Sequence, residues 1–82
     1  MISTEQMIRF AESGNQQRVS LTDGRVLQGW IMEIDEDCVV ISIGAGEHGQ
    51  DVTVMLSEIR PEALQYWDAR QQVWVAFNPA AG

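Results

Sequence analysis

The sequence predicts a mainly β fold: a small, strongly bent barrel of five or six strands preceded by a short N-terminal helix. Three observations predict it. Between Val19 and Ile43 the apolar residues recur at period two or in short β-branched runs, as strands with a buried face require. Asp23-Gly24 and Asp35-Glu36-Asp37 interrupt those runs with residues that favour chain reversal. Gly29 stands inside an otherwise apolar strand, where a missing side chain lets the strand bend sharply or lets another backbone approach.

Length and composition set the limits. The chain has 82 residues, 45% of them hydrophobic, enough for one domain with a small core spanning 1–82. Asp and Glu number 12 against 5 Lys and Arg, and the net charge is −7. A chain with that balance repels a polyanion except at a local patch, which argues against nucleic acid as the partner. The one cysteine, Cys38, has no disulfide partner and opens an apolar strand, where it reads as a small buried hydrophobe. A reducing, cytoplasmic setting is expected. No apolar run approaches the ~20 residues that span a bilayer, and no basic-then-apolar leader opens the chain.

Taken in order, Ser3-Thr4-Glu5-Gln6 predicts a helix over about 3–13. Ser3 or Thr4 serves as N-cap, and Ser3 with Gln6 has the capping-box spacing. Met7, Phe10 and Ala11 share one face, and Gly14-Asn15 supplies a left-handed stop. The barrel is expected over about 17–67. Its strands run through Val19–Leu21, Val26–Ile34, Cys38–Ile43 and Asp51–Leu56, the last with Val52, Val54 and Leu56 on one face. The glycine-rich segment Gly44–Gln50 is a loop, and it lacks the Gly-Lys-Ser/Thr and following helix of a phosphate cradle. Ser57-Glu58-Ile59 reads as a single helical turn with Ser57 as its cap, and Arg60-Pro61 as extended chain. Residues 62–77 admit two readings. Leu64, Trp67, Gln71 and Trp74 would line a helix; Leu64, Tyr66 and Val73, Val75, Phe77 would alternate along a hairpin turning at Asp68–Gln71, and the aromatic and β-branched content favours the hairpin. Asn78–Gly82 reads as a frayed tail.

The stretch Leu21-Thr22-Asp23-Gly24-Arg25, followed by Gly29-x-Ile31 and Asp35, resembles the first motif of the Sm-like and Hfq-like proteins, relatives in topology of SH3-like barrels. The resemblance covers about residues 3–67. It implies a short helix before five bent strands, and subunits that associate by pairing the fourth strand of one with the fifth of the next. An RNA-binding ring of that kind would need Arg25 and Arg60 to line its pore. Two positions depart from the pattern: Val39 stands where the family carries a base-reading polar residue, and Ile59-Arg60-Pro61 keeps the arginine of the second motif without its glycine.

The residues offer little catalytic chemistry. His48, the one histidine, lies in the glycine-rich loop without a nucleophile nearby, and Glu47, His48 and Asp51 are too few and too clustered for a tetrahedral metal site. Asp35, Glu36 and Asp37 lack the alternate oxygen ligands of a calcium loop and read as a charged turn. No enzyme activity, cofactor or metal is expected. Trp30, Tyr66, Trp67 and Trp74 supply core, and any of them left exposed marks an interface. The expected function is therefore a non-catalytic interaction or scaffold module that self-associates, with a protein partner in place of RNA. Asp23, Gly24, Gly29 and Asp35 form its turns and bend. Val52, Val54 and Leu56 mark the strand whose edge carries the association, because no Pro or Lys blunts it.

Overall fold

The computed structural model describes residues 1–44 and 49–79. Its polypeptide forms α1 (Thr4–Ala11), β1 (Gln17–Ser20), β2 (Val26–Ile34), β3 (Cys38–Ile43), β4 (Gln50–Met55), β5 (Gln65–Asp68) and β6 (Val73–Ala76), with short 3-10 turns at Leu56–Glu58 and Pro61–Ala63. The strands build one antiparallel sheet in the order β4-β3-β2-β1-β5-β6. Residues 62–77 thus adopt the hairpin. The readings of Glu47 and His48 fall outside the described residues.

Helix α1 begins where the capping box places it. The Ser3 hydroxyl accepts from the Gln6 backbone N–H at 3.1 Å, and the Gln6 side-chain oxygen accepts from Ser3 N–H at 2.8 Å, so two orphan donors are satisfied reciprocally. At the other end Gly14 takes a φ of 63°. Its Cα faces the Trp67 carbonyl so closely that a side chain there would overlap the backbone of β5. Gln17, 3% exposed, donates its side-chain amide to the carbonyls of Ala11 and Ser13 and so completes the C-terminal cap from within β1. Nothing in the sequence periodicity marked that role.

The first hairpin closes tightly. Leu21 N–H donates to the Arg25 carbonyl and Gly24 N–H to the Leu21 carbonyl, a three-residue loop whose last position must be left-handed. Gly24 fills it at φ 95°. A Cβ on Gly24 would meet nothing within 4 Å. Gly24→Ala is therefore expected to destabilise the protein through backbone strain alone, by about 1 kcal/mol, and urea denaturation of the two proteins checks it.

Strand β2 carries two local features. At Gly29 it runs between Gln17 of β1 and Ile43 of β3, with the Ser42 carbonyl where a Cβ would stand. At Met32 the β2–β3 register slips, a bulge that leaves Met32 exposed and returns Ile34 to the inner face opposite Val39. The glycine inside an apolar strand predicts a bend or the close approach of another backbone, and the close approach is present; an apolar Met in an apolar strand carries no sign of a bulge.

The core lies between one face of the sheet and α1. Met7 and Phe10 from the helix meet Val19, Leu27, Val39, Ile41, Val54, Leu56, Ile59 and Leu64. Ile59 is buried beneath the end of the sheet and bridges to Leu21, which ties the chain after β4 back onto β1. Two expectations change here. The Leu56–Glu58 turn is capped by the Glu58 carboxylate, which accepts from Met55 N–H at 3.2 Å, while Ser57 sits inside the turn and supplies no cap. The segment after Phe77 is tied down as far as Pro79, whose carbonyl accepts from Gln6 Nε2 at 3.1 Å and Arg9 Nη2 at 2.9 Å.

Candidate functional site

Two surfaces stand out, one at each side of the sheet. The first is the outer edge of β4. The strand is hydrogen-bonded to β3 along its whole length, Cys38 opposite Met55 through Ile43 opposite Gln50, and ends the sheet on its other side. Val54 and Leu56 point into the core at 1% and 2% exposure, and Val52 is half-buried on the same face. Their side chains are thus packing, and the edge is offered by the backbone together with Asp51, Thr53 and Met55 on the exposed face. The hairpin of β5 and β6 leaves this edge alone. It extends the opposite end of the sheet, where β6 occupies the outer side of β5.

The second surface is the outer face of β2, β1, β5 and β6. Register places Gln28, Arg18, Gln65 and Ala76 in one row across the four strands. The neighbouring row contains the Trp67–Trp74 pair, and extending the register by one residue sets Gln16 beside Trp30 and Trp67. The Trp67 and Trp74 rings meet edge to face at 5.5 Å, and the Arg18 guanidinium stacks 4.0 Å over the Trp74 ring. Arg18 Nε and Nη2 both donate to Gln28 Oε1, at 3.2 and 3.0 Å, and Nη1 donates to Gln65 Oε1 at 3.2 Å. Between these groups lies a shallow pocket of about 230 Å³ lined by Gln16, Gln28, Trp67 and Trp74. Trp30 stands 41% exposed on the same side of the sheet. This cluster was not visible in the sequence, because Arg18, Gln28, Gln65 and Trp74 become neighbours only once β1 is known to lie between β2 and β5.

The remaining predicted residues are accounted for locally. Asp23 bonds Arg25 twice, accepting from its backbone N–H at 3.0 Å and from Nε at 2.8 Å. The backbone bond first, then the guanidinium, holds the Asp23 carboxyl below the usual range. Arg60 pairs with Glu62 at 3.2 Å. The turns that carry Arg25 and Arg60 lie at the same end of the sheet, where Thr22 N–H donates to the Glu58 carbonyl and Arg60 N–H to the Ser20 carbonyl. Each arginine there already faces a carboxylate. Asp35 N–H donates to the Cys38 carbonyl and closes the second turn. Cys38 is half-buried, and burial first, then the Asp35 charge beside it, pushes its thiol pKa up, so the thiol stays protonated at neutral pH.

A larger depression, about 580 Å³, follows the surface of α1 along Ser3, Glu5, Gln6, Ile8 and Arg9. Its Ser3 and Gln6 are engaged in the cap, and Gln6 and Arg9 hold Pro79. Among the described residues no three His, Cys, Asp or Glu side chains gather as a metal site, and no helix is long and apolar enough to cross a membrane. No family model matches this chain, and no match was found among curated proteins or solved structures.

Proposed function

We propose that this chain is a non-catalytic, Sm-like interaction module that self-associates by pairing β4 with β4 of a second copy. The single observation that carries this reading is the outer edge of β4, which pairs with no other strand among the described residues and has no Pro or Lys among Gln50–Met55 to protect it. The helix-first order, the glycine inside the second strand and the Asp23-Gly24 turn support the Sm-like comparison. The mode of association differs from that family's. A fourth-to-fifth strand pairing needs the outer side of β5, which β6 covers in this chain. The outer side of β6 is a second sheet edge, but a β4–β6 contact is head-to-tail, whereas two copies of β4 related by a two-fold axis close on themselves, and closed two-fold dimers are the commonest assembly.

With the axis at Thr53, Asp51 of one copy faces Met55 of the other, so no like charges meet and a Thr–Thr pair forms at the centre. Thr53→Lys sets two ammonium groups opposite each other on the exposed face without touching the core. The expected result is a mass twice that of the chain at micromolar concentration by sedimentation, falling to the single-chain mass in Thr53→Lys with unchanged circular dichroism. A single-chain mass for the unaltered protein at every concentration overturns the reading. The RNA-ring alternative predicts gel shifts with short U-rich or A-rich RNA. At net −7, with Arg25 and Arg60 each paired to a carboxylate, no shift is expected at physiological salt.

A further inference from the structure

The Arg18–Trp74 cluster plays no part in edge pairing, and its chemistry is specific. Arg25 and Arg60 are held by carboxylates, whereas Arg18 has no carboxylate partner among the described residues. Its hydrogen bonds go to the neutral amide oxygens of Gln28 and Gln65, which fix the guanidinium in place and leave its charge uncompensated. A guanidinium has five N–H donors, and the three bonds made leave one on each terminal nitrogen, the pair a carboxylate takes as a fork. Stacking on Trp74 and the two glutamine contacts hold the side chain in one geometry, so a ligand meets a preorganised cation and little further side-chain freedom is lost on binding.

The surroundings select among ligands. A cationic ligand, which a pair of tryptophans would otherwise suit, is repelled because Arg18 already covers the Trp74 ring. A nucleic acid would bring many phosphates to a chain of net −7. A single carboxylate meets one local cation and little of the distant charge, which salt screens beyond about 8–10 Å. Size decides the rest. At about 230 Å³ the pocket is smaller than the ~300–1,000 Å³ of small-molecule sites and fits one or two side chains of a peptide.

We propose that the outer-face pocket between Trp67 and Trp74 is a docking site for a partner-protein segment in which an Asp or Glu adjoins an aromatic residue. The carboxylate takes the two remaining N–H groups of Arg18. The aromatic side chain lies against Trp67 and Trp74, and the Gln16 and Gln28 amides at the rim hydrogen-bond the segment's backbone.

The test uses the full chain with ¹⁵N-labelled indoles and two blocked octapeptides, one centred on Glu-Phe-Asp and one on Gln-Phe-Asn. The expected result is saturable displacement of the Trp67 and Trp74 indole N–H resonances by the acidic peptide. Affinity is expected to fall at least about tenfold for the amide peptide and for Arg18→Gln, with Arg18→Lys between, because a point charge replaces the fork. Raised salt weakens the acidic peptide alone. Equal binding of the two peptides, no binding of either, or acidic-peptide affinity unchanged in Arg18→Gln overturns the proposal. Displacement of the same resonances on simple dilution also overturns it, since the occupant is then a second copy. Thr53→Lys separates the two sites: a monomeric variant that still binds the acidic peptide leaves the pocket standing whatever becomes of the β4 edge.

Discussion

Gly29→Val is expected to unfold the protein, although valine is among the best strand formers and glycine among the worst. The reason is one atom. A Cβ at position 29 overlaps the Ser42 carbonyl and lies 2.9 Å from the Ser42 carbonyl carbon and 3.1 Å from the Ile43 Cα, all backbone of the neighbouring strand. Backbone in a strand held on both sides has no rotamer by which to give way. Relief requires β2 and β3 to separate where their pairing sets Val39 and Ile41 into the core. A loss above about 4 kcal/mol is expected, against a total near 0.05–0.15 kcal/mol per residue for ordinary domains. Gly29→Ala adds the same Cβ and is expected to be nearly as damaging. Urea denaturation monitored by circular dichroism decides the matter: a Gly29→Val protein as stable as the parent would show that propensity, and not the strand crossing, governs this position.

Phe10→Ala is expected to remove about 3–5 kcal/mol, the second largest effect. Phe10 is fully buried, and its ring lies 5.1 Å from that of Phe77 at 53°. It is where α1 meets the segment that follows β6. A helix of 8 residues does not persist alone in water, so its presence depends on this packing more than on its cap. The loss should appear as a lower urea midpoint, together with loss of helical signal before the sheet melts. Retention of full helical signal through the transition would contradict the dependence of α1 on Phe10.

Much of this architecture could be read from local residue patterns, and the reasons differ by element. Ser3 and Gln6 announce a capping box because both partners lie within one turn. Val26–Ile34 and Cys38–Ile43 announce strands because turn residues bound each apolar run. The hairpin of β5 and β6 was legible in the β-branched and aromatic residues on both arms, which outweigh the helical spacing of Leu64, Trp67, Gln71 and Trp74. What local pattern cannot supply is the order of strands. Val54 and Leu56 are apolar and alternate, which correctly puts them on one face. Whether the hairpin shields their strand depends on where β5 pairs, and β5 pairs with β1 at the far end of the sheet. The same ignorance hid the Arg18 cluster, assembled from four strands, and the cap that Gln17 gives to α1. The close approach of β3 at Gly29 was legible in the missing side chain; the bulge at Met32, which depends on β3 register, was not.

The central claim is that the outward N–H groups of Asp51 and Thr53 are hydrogen-bonded to a second β4, the third outward amide, Met55, being held by the Glu58 carboxylate. In an antiparallel edge strand, alternate amides point to the neighbouring strand and the others point away, so an unpaired edge exchanges hydrogen in an alternating pattern. Residue-resolved hydrogen exchange across Gln50–Met55 reads that pattern directly. Pairing predicts that at high protein concentration the amides of residues 51 and 53 are protected along with those turned to β3, and that these two lose protection on dilution or in Thr53→Lys. Alternating exchange at all concentrations, identical in the parent and in Thr53→Lys, would contradict it.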